Sequence, residues 1–182
     1  RVPNWDEVLL YIQSNPSQCK RLHGWDEELP LHWALREKAP IYIIEPLLVI
    51  YPEGSSCRGR HGAIPLWYAL GTPRDEGEMT TIVELLLKAY PNGVRLKVDK
   101  LLPLHMAVKL GVCEKIIGLL LDLDLPFSDD GYPITYHAYS WAWLIENTGD
   151  KYLDIIREII LAHRSIAQEL AKAQTERGTL AL

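Results

Sequence analysis

The chain has 182 residues, 48% of them hydrophobic and 24% charged, the balance of an ordinary soluble globular protein with room for one larger domain or a short repeat array. Its formal net charge is −5 and no run of Lys and Arg stands out, which argues against a general binder of nucleic acid or anionic membrane, since those need clustered positive charge. Three widely spaced cysteines, Cys19, Cys57 and Cys113, make no disulfide framework and point to a reducing compartment, and no apolar run approaches the ~18–20 residues of a membrane helix.

In chain order, Trp5, Val8, Leu9 and Ile12 predict a helix that ends before Asn15-Pro16, a second helix without its first. The phrase Leu29-Pro30-Leu31-His32-Trp33-Ala34-Leu35 follows. It returns 35 residues on as Ile64-Pro65-Leu66-Trp67-Tyr68-Ala69-Leu70 and 38 residues after that as Leu102-Pro103-Leu104-His105-Met106-Ala107-Val108. Self-similarity at this period predicts stacked repeats. Each phrase opens a short helix, with Pro in the first turn, where its missing N–H breaks no bond. Leu31, Ala34 and Leu35, and their counterparts, form one apolar stripe, with a small Ala that lets neighbouring helices approach.

A second apolar helix follows each first one. Their stripes are Ile41, Ile44, Leu47, Leu48 and Tyr51; then Ile82, Val83, Leu85, Leu86 and Ala89; then Ile116, Ile117, Leu119, Leu120 and Leu121. Apolar residues on more than one face suit helices sandwiched between repeats. Tyr51-Pro52-Glu53-Gly54 and Tyr90-Pro91-Asn92-Gly93 predict where the first two of these helices stop and turn. Pro46, interior to its helix, predicts a kink or a late start. The polar segment from Gly71 to Gly77 reads as a surface loop. Beyond Leu125-Pro126 the fourth unit is distorted, with a turn from Asp129 to Pro133, an aromatic-rich helix from Ile134 to Ile145, and an aromatic set, Tyr132, Tyr136, Tyr139, Trp141 and Trp143, that is either core or interface. Residues 175–182 read as the start of a further repeat, so a window from a longer protein is expected.

Leu29-Pro30-Leu31-His32 and Leu102-Pro103-Leu104-His105, the Ala34, Ala69 and Ala107 that follow, and the pairs Leu47-Leu48, Leu85-Leu86 and Leu119-Leu120 resemble the ankyrin repeat family. The resemblance covers most of the chain, and its units are approximately 1–20 (partial), 21–56, 57–94, 95–126, 127–172 and 173–182 (partial). It implies an all-α, ankyrin-type helix-turn-helix solenoid of about four repeats plus partial repeats at both ends, in a single domain. Two departures stand out. The family's Thr is Leu29, Ile64 and Leu102 here, which removes the hydroxyl beside the His ring, and Trp67 stands at a His position.

The resemblance further implies a non-catalytic scaffold, with no cofactor, that binds another protein along a concave groove of hairpin tips and first helices. Carried over residue by residue, the contacts are Trp25, Asp26 and Glu28 with Arg36 and Glu37; Arg60, His61 and Ala63 with Gly71 and Thr72; and Val98, Asp99 and Leu101 with Lys109 and Leu110. In the distorted fourth unit they are Ser128, Asp129 and Tyr132. The partner is expected to be a protein rather than nucleic acid, without direct membrane insertion, in the cytoplasm or nucleus. The rival reading is a structural or accessory subunit, or a regulatory region attached to a catalytic domain elsewhere. His32 and His105 sit in a repeated structural phrase and read as structural. Cys57 and His61 lack the further ligands of a zinc site, and Asp122, Asp124, Asp129 and Asp130 do not have calcium-loop spacing. No nucleophile triad, phosphate loop or dinucleotide turn is present.

Overall fold

The computed structural model describes residues 3–22, 28–99 and 101–122, with backbone alone at 114, 121 and 122. The chain divides into two compact units, Arg1–Leu123 and Asp124–Leu182, and the first carries every described element. Trp25, Asp26, Ser128, Asp129, Tyr132 and the aromatic segment around them lie outside the described residues.

The first unit is helical. Seven α-helices are described: α1 Trp5–Ser14, α2 Pro30–Arg36, α3 Ile41–Ile50, α4 Pro65–Gly71, α5 Glu76–Ala89, α6 Pro103–Leu110 and α7 Glu114–Asp122. They form two layers. The short Pro-led helices pack in succession, α2 on α4 and α4 on α6, while α1, α3, α5 and α7 pack in succession behind them. Each short helix also packs on the helix that follows it, α2 on α3, α4 on α5 and α6 on α7. Isolated helices of 7 or 8 residues are unstable in water, so α2, α4 and α6 depend on this burial. Leu31, Ala34 and Leu35, then Leu66, Ala69 and Leu70, then Leu104, Ala107 and Val108 are all buried, as the phrase predicts. Pro65 and Pro103 are buried beside the preceding short helix, whereas Pro30 is only half-buried.

The second helices stop as their sequence predicts. Pro52–Ser56 and Pro91–Arg95 are 3-10 helices, and Pro16–Lys20 repeats the arrangement after α1. Each carries Pro in its first turn. Gly54 and Gly93 are buried under the leading residue of the preceding phrase. A Cβ on Gly93 would stand 2.9 Å from Ile64 Cδ1, and one on Gly54 3.4 Å from Leu29 Cδ1.

Pro46 neither delays nor breaks α3, which starts at Ile41 directly after Pro40 and runs through to Ile50. Only one helical hydrogen bond is lost there, and the buried Ile43, Ile44, Leu47 and Leu48 on either side hold the helix in place.

The segment between α4 and α5 departs from a simple surface loop. Asp75 caps α5 by accepting from the Gly77 and Glu78 amides at 3.0 and 3.3 Å. Arg74 turns inward, its side chain 2% exposed, and donates to the carbonyls of Ala39 (2.7 Å) and Leu35 (3.0 Å), with Glu78 at 3.6 Å. It therefore ties down carbonyls at and just past the C-terminal end of α2 from the next helix pair.

His32 keeps an inter-repeat bond without the Thr hydroxyl. The Leu29 amide donates to His32 Nδ1 at 3.1 Å, which leaves the proton on Nε2, and Nε2 donates to the Cys57 carbonyl 3.0 Å away. The Leu102 amide donates to His105 Nδ1 in the same way, at 3.1 Å. Trp67 stands at the His position of the second phrase, and its indole N–H donates to the Leu96 carbonyl at 3.1 Å. Cys57 and Leu96 are the first residues past the 3-10 helices of successive repeats. His32 and Trp67 thus do the same work with different rings.

Candidate binding groove

Two hairpins precede α4 and α6 among the described residues. In the first, the Ala63 amide donates back to the Arg60 carbonyl at 3.1 Å, with positive φ at His61 (57°) and Gly62 (73°). This is the signature of a type I′ turn, whose twist suits a hairpin. In the second, Val98 and Leu101 exchange both backbone hydrogen bonds, at 3.0 and 2.9 Å, and Asp99 has φ of 49°. His61 and Asp99 occupy the same place in their repeats, three residues before the phrase.

These hairpins, with α4 and α6, wall a groove of about 410 Å³. Tyr68 and Met106, both half-buried, line its floor together with the buried Trp67. Its walls include Ala63, Val98 and Leu101, with Gly71 and Thr72 at the end of α4. Exposed Arg36, Arg60, His61, Asp99 and Lys109 stand around it.

Of the thirteen expected contact residues that the structure describes, eleven line this groove. Glu37, just past α2, exposed and 3.5 Å from Arg36 Nε, does not line it, and neither does the exposed Leu110 at the end of α6. Glu28 lines it but is buried, 5% exposed. Its carboxylate accepts from Arg36 Nη1 and from the Tyr68 hydroxyl, each at 2.5 Å. Glu28 thus joins the first repeat to the second and fixes Arg36 at the rim.

Tyr68 is the centre of this network. Its ring meets His32 edge-on at 5.1 Å between centroids. Burial, then the hydrogen bond and charge of Glu28, hold its pKa far above the usual phenol value, so it remains a donor. Gly59 makes the approach possible, because a Cβ there would stand 2.9 Å from the Tyr68 oxygen. Burial pushes the pKa of His32 down, which keeps the ring neutral, with the Cys57 carbonyl a smaller opposing influence. Trp67, Tyr68 and Met106 were not among the expected contacts. The signal that could have found Tyr68 and Met106 is their place in the phrase, one residue after the His position.

A larger cavity, about 500 Å³, lies between α1 and the α2–α3 pair, with Val8, Ile12, Trp33 and Leu47 in its walls. None of the predicted contact residues lines it. Its surface is almost wholly apolar, whereas a binding site pairs apolar area with a few convergent polar groups. The groove meets that description better.

His32 spends both ring nitrogens on the backbone, and the buried Glu28 carboxylate is held by Arg36 and Tyr68. Among the described residues, no group of three or more His, Cys, Asp or Glu is placed to hold a metal, and no helix is long and apolar enough to cross a membrane. No protein-family model matches the chain, and no curated protein matches it either.

Proposed function

We propose that the chain is an ankyrin-type helix-turn-helix solenoid that works as a non-catalytic scaffold, holding another protein along the groove of hairpin tips and short helices. The two-layer packing of α1 to α7 supports the architecture, as do the 3-10 turns and the hairpins that recur before the phrase. The observation that carries the binding reading is convergence: residues from Glu28 to Lys109, far apart in sequence, line one groove. An apolar floor with a charged rim is the make-up of a protein-recognition patch.

The test is an affinity capture from cells that express the protein, with the 182-residue chain as bait. Wild type is compared with Ala63→Trp, which fills the groove from a wall position with extended backbone (φ −76°, ψ 135°). A partner held by wild type and lost by the variant, with far-UV circular dichroism unchanged, is expected. Equal recovery by both moves the binding surface elsewhere.

A second reading, a subunit docked permanently on a neighbour, draws on the apolar cavity beside α1 and on the exposed Leu10 and Val49, which are 64% and 79% accessible. Large apolar surface left open marks an interface. Partner capture that survives Ala63→Trp but fails on Val49→Asp favours that reading.

A further inference from the structure

We infer that the groove takes an extended, acidic segment of a partner protein, with one large apolar side chain seated on Tyr68 and Met106. The inference rests on the protein-binding reading and adds the partner's chemistry to it.

Charge decides the class. The chain as a whole is acidic, at −5. The groove departs from that balance: Arg60 and Lys109 are exposed around it, Arg36 at the rim is paired with Glu28 and Glu37, and Asp99 is the one exposed carboxylate among its described lining residues. The other lining carboxylate, Glu28, is buried and faces inward to Arg36 and Tyr68. A basic rim on an acidic molecule attracts acidic segments to that place and repels them elsewhere.

Size and shape decide the rest. A volume of about 410 Å³ holds a ligand-sized group, not a whole domain surface. The floor is apolar where Tyr68 and Met106 come up, so a single anchor fits there, flanked by carboxylates that reach Arg60 on one side and Lys109 on the other. Rim charges of this kind set association rate and choice of partner more than total affinity.

The probe is a displayed library of random 12-residue peptides, selected on the full 182-residue chain. Binders are then measured against wild type, Ala63→Trp and the double variant Arg60→Glu/Lys109→Glu, each checked for unchanged helicity. The expected result is enrichment of peptides with Asp or Glu on both sides of an apolar residue. Their affinity should fall on the order of tenfold or more in the double variant, and should weaken with added salt. Binders that are lost on Ala63→Trp but carry no acidic bias and tolerate the double variant overturn the acidic class while leaving the groove reading intact. Binders indifferent to both variants, or a selection that returns none, overturn both.

Discussion

Trp67 and His32 illustrate how one position can keep its role while its chemistry changes. Both rings donate to the carbonyl just past the next 3-10 helix, and both are buried. Trp67→Phe keeps the ring and removes the donor. It should lower the unfolding free energy by about 1–2 kcal/mol in urea titrations, because the Leu96 carbonyl then lacks its partner. No change would mean that this bond is incidental. His32 makes a separate prediction. Its folded pKa lies below the ordinary 6.5, because burial favours the neutral ring. The unfolded chain therefore binds the proton more readily. Stability should be intact above about pH 6.5 and should fall as pH drops below it. His32→Gln should flatten that slope; an unchanged slope would assign the pH dependence to other groups.

The same scale explains what a strained residue contributes. Lys38 has φ of 59°, at the place between α2 and α3 that Gly111, with φ of 66°, occupies between α6 and α7. A left-handed conformation is unfavourable for a residue with a Cβ by roughly 1–2 kcal/mol, partly offset by the greater unfolded-state freedom of Gly. Lys38→Gly should therefore raise the urea midpoint, by about 0.5–1 kcal/mol in free energy. A loss of stability would show that the Lys38 side chain holds something the backbone does not.

At the scale of elements, the short helices are held by what surrounds them, and Arg74 is the clearest case. Its guanidinium serves the end of α2 from the loop before α5, and burial with Glu78 nearby leaves it little solvent. Arg74→Ala should cost about 2–4 kcal/mol, since two carbonyls lose a charged donor. Arg74→Lys should recover only part of that, because one ammonium lacks the spread of a guanidinium. Gly93→Ala probes the other join, where the 3-10 helix lies against Ile64. The 2.9 Å approach should make it destabilising by about 1–2 kcal/mol, measured in the same way.

Across the whole described unit, the helix pairs were legible in the sequence because apolar spacing and Pro-led first turns recur at nearly fixed intervals. The hairpin residues were legible for the same reason: a repeat that fixes the phrase also fixes the residues just before it. Other features were not. The inward turn of Arg74 depends on a contact with the previous helix pair, and nothing local in the Gly71 to Gly77 segment encodes that. The turn at His61 and the left-handed Asp99 lack the Asn-Gly signal that marks such hairpins. Glu28 gave no sign that it would be buried, because its partners, Arg36 and Tyr68, meet only in the folded stack.

Whether the groove is where a partner sits is tested most directly by site-specific photo-crosslinking. A photoreactive phenylalanine analogue placed at His61, exposed at the groove rim, is compared with one at Val49, which is 79% exposed and lines none of the described cavities. After irradiation in cells that express the protein, a discrete heavier band from the His61 position and none from the Val49 position is the predicted result. A band from Val49 alone would contradict the groove as the binding surface.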